Sequence, residues 1–439
     1  MKSHIFLLKN ALLRNSAFRF YKQFRLESEM SDDERQALRF LRLKRILTQA
    51  YNFSPYYHDK YRRAGMCPDD IRQLDDFEKV PTLTKDEVRE HGNDIICKNQ
   101  KMGDMRLSTT GGSTGEPIKV YHDRRVPIDV ISWWILKEWG LDISDNMGFI
   151  YRYRPAHSFL NALSWFPTGR IFLDASFIDD SSCEHFYCEA RKKRIKCICG
   201  YVGAVQQFGY YLRKKNYSIP SLKAVWTTAA PLPSVLRMDM ESIFHAPVFS
   251  QYGCCEIFGL ATECPKKNGL HWFDTIREIE VVDKNKRALS CGEYGETLIT
   301  DLLNECFPLI RYQNGDNACK MSHKCDCGCR FPLLAPIRGR VTDMIKFRDG
   351  SYIAGDFLTT IFDATPDAVL AFCVIQRADY SLLIKYVPAG SSSAQTVQDV
   401  CASLRNRFAA QKLDVTQEEV SGIAHDRGKT RFIISEVAE

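Results

Sequence analysis

The sequence predicts two unlike parts: a large N-terminal α/β domain over residues 1–338, built of layered mixed sheets with helices, and a small α+β domain over residues 339–439. Three observations predict this. Between residues 118 and 300 short β-rich runs alternate with helical ones, the pattern of an α/β layer. Near residues 338 to 350 the character changes to "IRGRVTDMIKFRDG", charged and glycine-bounded, which reads as a linker. Beyond it lie two β-like runs, "FCVIQRA" and "SLLIKYV", and a helical run from Val397 to Phe408.

The elements follow in order. Residues 1–100 read as a helical lead-in. The apolar run Ile5-Phe6-Leu7-Leu8 is broken by Lys9-Asn10, far short of the ~20 residues a membrane span needs. It lacks a small-residue cleavage site, so it is expected to belong to an amphipathic helix rather than a signal peptide, with weak membrane-surface contact left open. Ser31-Asp32-Asp33-Glu34 has the form of a capping box, and Leu43, Ile46, Leu47 and Ala50 mark one helical face. Pro55 is expected to stop that helix, and "VPTLTKDEV" to turn into another. Val225–Thr228 and Pro247–Ser250 read as buried strands, and Ile279–Asp283 and Glu296–Thr300 as strands of a smaller sheet. Arg191-Lys192-Lys193-Arg194 reads as a solvated helix end.

Composition excludes several classes. With 45% hydrophobic and 26% charged residues the chain is a folded globular one, long enough for two or three domains. The net charge of +6, from 60 basic and 54 acidic residues, is too small to argue for nucleic acid. Seventeen cysteines without a secretory signal point to buried thiols in a reducing, cytoplasmic setting rather than to a disulfide framework.

The stretch "LSTTGGSTGEPIKVYHD" packs three glycines and five hydroxyl side chains between Ser108 and Glu116. Glycine lets backbone N–H groups converge on an anion, and hydroxyls add donors, so the loop is built as a phosphate cradle. It is not a Walker A loop, because no lysine follows Gly115. "SQYGCCE" places Glu256 just past a strand, "IRYQNGDNA" places Asp316 after a tight Asn-Gly turn, and "GRVTDMIKFRDG" opens the linker.

In this order, these stretches resemble the core motifs of the adenylate-forming superfamily, enzymes that activate a carboxylate as an acyl-adenylate. The resemblance runs from about residue 40 to the C-terminus. It is closest to the branch holding the phenylacetate–CoA ligases, the CapK-like proteins of capsular polysaccharide synthesis and the coenzyme F390 synthetases. Supporting stretches include "AYNFSPYYHDKYRRAG", "GLHWFDTIREIEVVD", "CDCGCRFPLL" and "RGKTRFIISEV".

The resemblance implies a set of roles. Thr109, Thr110, Gly111, Gly112, Ser113, Thr114 and Gly115 would hold the β- and γ-phosphates of ATP, with Thr114 also catalytic. Ala230, Pro231, Gln251, Tyr252, Gly253 and Cys255 would line the nucleotide, Tyr252 packing on adenine. Glu256 would bind Mg²⁺, Asp316 would accept both ribose hydroxyls with Arg340 beside it, and Lys429 would bridge the acid and the α-phosphate. These residue types suit the task, because a carboxylate attacking a phosphate needs cations to neutralise both. Tyr201 and Trp226 are candidates for the acyl pocket. The small domain is expected to be mobile, hinged near Arg340–Asp343 at Thr342. Thr342, Cys255 and Glu116 depart from the pattern and leave a retired nucleotide-binding module as a rival reading.

The expected reaction is a carboxylic acid plus ATP giving acyl-adenylate and pyrophosphate, then transfer to coenzyme A. The alternative acceptor is an amine or hydroxyl in surface-polysaccharide or cofactor synthesis. The partners are small molecules, and the sequence leaves room for a homodimer. Finally, "HKCDCGCR" and "TECPKKNGLH" suggest a structural Zn²⁺ site of Cys264, His271, Cys325 and Cys327, with Cys329 and His323 in rival sets.

Overall fold

The computed structural model of the chain describes residues 2–109, 118–152, 163, 165–176, 178–229, 232, 234–337, 344–354, 358, 361–362, 365, 368–422 and 433–437. The lead-in consists of α1 (Lys2–Leu13), α2 (Asn15–Ser28), α3 (Asp32–Phe53), α4 (Pro55–Arg63) and α5 (Lys85–Ile95). Ser31 caps α3 reciprocally: Glu34 N donates to Ser31 Oγ at 3.3 Å, and Ser31 N donates to Glu34 Oε2 at 2.8 Å. Leu43, Ile46, Leu47 and Ala50 then bury one face completely. Pro55 does more than end α3, for it opens α4 in its first turn, where its missing N–H costs nothing. Thr84 caps α5 as Ser31 caps α3.

Two strands, β1 (Met105–Thr109) and β2 (Lys119–Asp123), form an antiparallel hairpin ladder. The remaining strands of the large part are β3 (Met147–Tyr151), β4 (Arg170–Asp174), β5 (Cys197–Tyr201), β6 (Ala224–Thr228), β7 (Val248–Tyr252), β8 (Ala261–Glu263), β9 (Leu270–Trp272), β10 (Arg277–Val282), β11 (Tyr294–Asp301), β12 (Tyr312–Met321) and β13 (Leu333–Leu334). They hydrogen-bond as one ladder, in the order β10-β11-β12-β13-β9-β8-β7-β6-β5-β3-β4. Strands β4, β3, β5, β6 and β7 are mutually parallel, and the rest are antiparallel.

Helix α6 (Ile131–Glu138) joins α1 and α2 over one face, where Trp133, Trp134, Trp226, Phe249 and Phe273 pack. Helices α7 (Asp180–Lys192), α8 (Val202–Lys215) and α9 (Ser234–Phe244) join a second core with Ile150, Ile198, Val225 and Val248. A parallel sheet covered on both faces explains the near-continuous apolar runs of β5 and β6.

Two expectations need correction. Strands β10 and β11 do not make a separate, smaller sheet. The ten-residue β12 pairs with β11 along one side and with β13 at its end, which ties them into the main ladder. Nor is Asn314-Gly315 a turn between strands. It lies inside β12, where the register jumps from Glu296↔Asn317 to Leu298↔Gln313 and Gly315 takes φ +84°. A bulge and a tight turn both need a left-handed residue, so the same dipeptide serves either.

In the C-terminal part β14 (Met344–Lys346) and β15 (Tyr352–Ala354) form a hairpin. A four-stranded sheet follows in the order β18-β17-β16-β19, from β16 (Val369–Gln376), β17 (Leu382–Pro388), β18 (Val415–Glu419) and β19 (Ile433–Ser435), with α10 (Ser393–Arg407). The second half of the expected linker is therefore ordered structure, since Ile345 and Phe347 belong to this C-terminal core. Among the described residues no helix is long and apolar enough to cross a membrane.

Candidate functional site

The parallel strands bring their carboxyl ends to one edge, where open α/β sheets leave a crevice for ligands. The register aligns Tyr201, Thr228 and Gln251 across β5, β6 and β7, with Tyr252 ending β7. Just past β6, Ala229 takes φ +72°, a left-handed backbone that a non-glycine residue adopts at a cost of ~1 kcal/mol or more. Its neighbours Ala230 and Pro231 lie outside the described residues.

After β7 the chain closes a tight loop that carries Glu256. Cys254 N donates to Ile257 O at 3.2 Å, and Leu260 N to Tyr252 O at 3.1 Å. A Cβ on Gly253 would sit 3.3 Å from Gly259 N, so glycine suits the closure. Two outside side chains pin the loop. His122 of β2 bonds Cys255 O through Nε2 at 3.0 Å, and its ring stacks on Phe258 at 4.6 Å. A carbonyl only accepts, so Nε2 carries the proton. Burial holds this imidazole neutral, pushing its pKa down to about 4. On the other side Arg277 donates to Phe258 O from Nη2 at 2.9 Å and pairs with Asp301 at 2.5 Å, both groups buried.

The two predicted carboxylates are braced crosswise. Tyr312, on the strand of Asp316, donates its hydroxyl to Glu256 Oε1 at 3.1 Å. Tyr252, at the root of the Glu256 loop, donates its hydroxyl to Asp316 Oδ2 at 2.9 Å. Asn314 adds its amide to both, at 2.6 Å to Asp316 Oδ2 and 2.8 Å to Tyr252 Oη. Burial, then the Asp316 charge, keep the Tyr252 phenol far above its ordinary pKa, so it stays a donor. Alternation along β12 brings Tyr312, Asn314 and Asp316 to this one place.

Thr109 ends β1 and pairs with Lys119, so the ladder closes the base of the glycine-rich segment. His122 on the partner strand fastens that base to the Glu256 loop. Thr110, Gly111, Gly112, Ser113, Thr114, Gly115 and Glu116 themselves lie outside the described residues, as do Arg340, Thr342 and Lys429. Cys255 is exposed on the loop.

The two acyl-pocket candidates differ in setting. Tyr201 is partly buried at the strand edge, edge-on to Tyr151 at 4.9 Å with Arg152 over its ring at 5.3 Å. Trp226 is 6% exposed, edge-on to Trp139 at 5.2 Å, and its indole donates to Gln251 Oε1 at 3.1 Å. It is a core residue that orients Gln251.

The cysteine cluster assembles as expected. The donor atoms of Cys264, His271, Cys325 and Cys327 all lie within 4.8 Å of one another. Cys264 Sγ is 3.6 Å from Cys325 Sγ, and Cys327 Sγ is 3.3 Å from His271 Nε2. His271 Nδ1 donates to Phe331 O at 2.8 Å, which leaves the Nε2 lone pair turned to the cysteines and free to bind a metal. Three sulfurs and one nitrogen at such spacings fit a structural zinc tetrahedron. Among the described residues neither Cys329 nor His323 joins the group.

His122, Arg277, Asp301, Tyr312 and Asn314 were not singled out from sequence. Tyr312 and Asn314 stand in the same quoted motif as Asp316, where alternation along a strand was the available signal.

No protein-family model matches the chain. The phenylacetate–coenzyme A ligase of Thermus thermophilus is 24% identical over 373 residues, spanning 81% of this chain and 82% of its own. That of Escherichia coli is 27% identical over 301 residues, spanning 65% and 67%. Protein CapK of Staphylococcus aureus is 21% identical over 426 residues, spanning 88% and 87%. The solved structure of 2-hydroxyisobutyryl-CoA ligase with 2-HIB-AMP and CoA shares the fold at a TM-score of 0.70, with 19% identity over 94% of this chain and 91% of that one.

Proposed function

The chain belongs to the adenylate-forming superfamily, in the branch of the phenylacetate–CoA ligases and CapK, and from that premise we propose that it is an acid–CoA ligase working through an acyl-adenylate. The observation that carries the reading is the crosswise bracing of Glu256 and Asp316 by Tyr312 and Tyr252. It fixes two carboxylates in one unit beyond the carboxyl end of β7, and in this reading the first holds a metal ion and the second accepts a diol.

In this reading an oxygen of the substrate carboxylate attacks the α-phosphorus of ATP, and the bond to the bridging oxygen breaks to release pyrophosphate. The sulfur of coenzyme A then attacks the acyl carbonyl, and AMP leaves. Asp316 accepts the ribose hydroxyls, while Thr109 to Gly115 cradle the phosphates and Lys429 neutralises the α-phosphate. Glu256 is the residue that would hold Mg²⁺, whose charge offsets that of the phosphates. Zn²⁺ on Cys264, His271, Cys325 and Cys327 would be structural, tying the β8–β9 segment to the loop before β13.

A second reading rests on the breadth of the match to CapK, 88% of this chain. There the acyl group passes to an amine or hydroxyl. Pyrophosphate release is the test, measured with ATP and Mg²⁺ over a panel of aryl, fatty, amino and sugar acids, with and without coenzyme A. Turnover that depends on acid and rises with coenzyme A is the expected result. Release indifferent to coenzyme A favours the second reading, and ATP binding without release for every acid overturns both.

A further inference from the structure

We infer that helices α1 and α2 form a docking face for an anionic lipid surface. The inner sides of both helices are already occupied. Phe6 of α1 and Tyr21 of α2 pack on the same ring, Trp133 of α6, at 5.0 and 5.6 Å. The sides turned away from Trp133 are their outer sides.

Those outer sides are apolar and basic. On α1, Ile5, Leu8 and Leu12 follow helical spacing and are 39%, 62% and 72% exposed, with Leu13 at 74%. Lys9 Nζ donates to Leu163 O at 2.9 Å and Phe166 O at 2.8 Å, which fastens that segment beside the helix. Leu163 and Phe166 are each 55% exposed, so the segment extends the apolar stripe. Of the twelve large apolar side chains exposed among the described residues, seven belong to α1, α2 and the segment that Lys9 holds, counting Leu13 at the end of α1 and Leu26 of α2. A soluble surface scatters such groups singly, and their gathering marks a contact face.

Charge selects the occupant. Residues 2–28 contain six basic side chains and one acidic. Arg14 pairs with Asp129, and Lys2 and Lys9 donate to Asn146 and to the Leu163 and Phe166 carbonyls, so the other three face outward for a partner. Arg19, Lys22 and Arg25 of α2 are exposed and form no ion pair among the described residues. Leucines that enter the acyl boundary, flanked by cations at headgroup level, are the make-up of an interfacial helix. A symmetric pair of copies would instead set the same excess of positive charge against itself.

The test is sedimentation of the full-length protein with phosphatidylcholine vesicles, with and without phosphatidylglycerol. Pelleting with the anionic vesicles should exceed that with phosphatidylcholine alone by about tenfold, and should fall in high salt. Leu8→Ser/Leu12→Ser should abolish it. Leu41→Ser, at a position 65% exposed on α3, should not. Matching thermal melts show that the variants fold. The inference is overturned if the wild type does not pellet with anionic vesicles at low salt, or if the double variant pellets equally well. It is also overturned if light scattering finds a dimer that the double variant dissolves, which would give the face to a second copy.

Discussion

A carboxylate that meets a bound cation or a ribose must be ionised and aimed, and in this chain tyrosine hydroxyls do the aiming. Removing one leaves the acid in place but loosens it. Tyr252→Phe should therefore raise the KM for ATP by roughly three- to tenfold, the equivalent of one lost hydrogen bond. Asp316→Ala should raise it by more, since the acceptor itself is gone. ATP titrations of pyrophosphate release check both, and equal effects would mean that Asp316 has no acceptor role. His122 is a positioning residue of another kind. Its folded pKa of about 4 lies below the ordinary 6.5, so the unfolded state takes the proton first. The stability it contributes is whole above pH 6.5 and lost as pH falls toward 4, about 3 kcal/mol in all. Glu280 and Asp274 have opposite sign, because burial raises their pKa values to about 7 and about 6. The comparison must therefore be with His122→Gln, whose amide keeps a donor for Cys255 O. The wild type's advantage in melting temperature over this variant should shrink between pH 7 and pH 4.5, and a constant difference would refute the neutral, buried imidazole.

At the scale of elements, what was legible was local. The cap at Ser31 is read from four consecutive residues, the turn of "VPTLTKDEV" into a helix from one short stretch, and the face of Leu43, Ile46, Leu47 and Ala50 from one period. What was not legible depends on distant partners. His122 meets Cys255 from 133 positions away, and Tyr57 reaches Pro308 O from 251. Asn314-Gly315 was misread for the same reason: whether a left-handed residue makes a turn or a bulge is settled by the neighbouring strand. The cysteine cluster lies between these cases. Its donor types and spacing are visible in the chain, but the choice among Cys325, Cys327 and Cys329 depended on how β9 and the loop before β13 meet. Cys264→Ser should bring zinc from about one per chain to well below it, since a tetrahedral structural site is closed by all four ligands. It should also lower the melting temperature by several degrees, because metal bound only to the folded state stabilises it. Elemental analysis paired with a thermal melt checks this, and a wild type containing far less than one zinc ends the idea.

At the scale of the whole molecule, β15 of the C-terminal part lies against α8 of the large part, and Arg407 at the end of α10 adds a polar contact. Its guanidinium donates to Ser176 O at 3.0 Å, beyond β4, and to Gln207 Oε1 at 3.4 Å on α8. Hydrogen bonds of this kind are individually modest, about 1–3 kcal/mol. In the proposed reading the small part serves two successive steps and must exchange this contact for another. Lys429 belongs to this part, and its expected role lies in one step only. The ammonium offsets charge while the carboxylate attacks the α-phosphate; in the later step charge again gathers on that phosphate as AMP leaves, but the expected swing of the small part at Thr342 takes Lys429 away from it. Lys429→Ala should thus lower acyl-adenylate formation by about a hundredfold or more, the scale of losing a preorganised charge in a dry site. ATP affinity should change little, since in the proposed reading the ribose and phosphates are held from the large part. Thioester formation from supplied acyl-adenylate and coenzyme A should persist. Measuring the two steps separately tests the assignment: equal losses would make Lys429 a residue of general stability, and no loss in the first step would remove it from the chemistry.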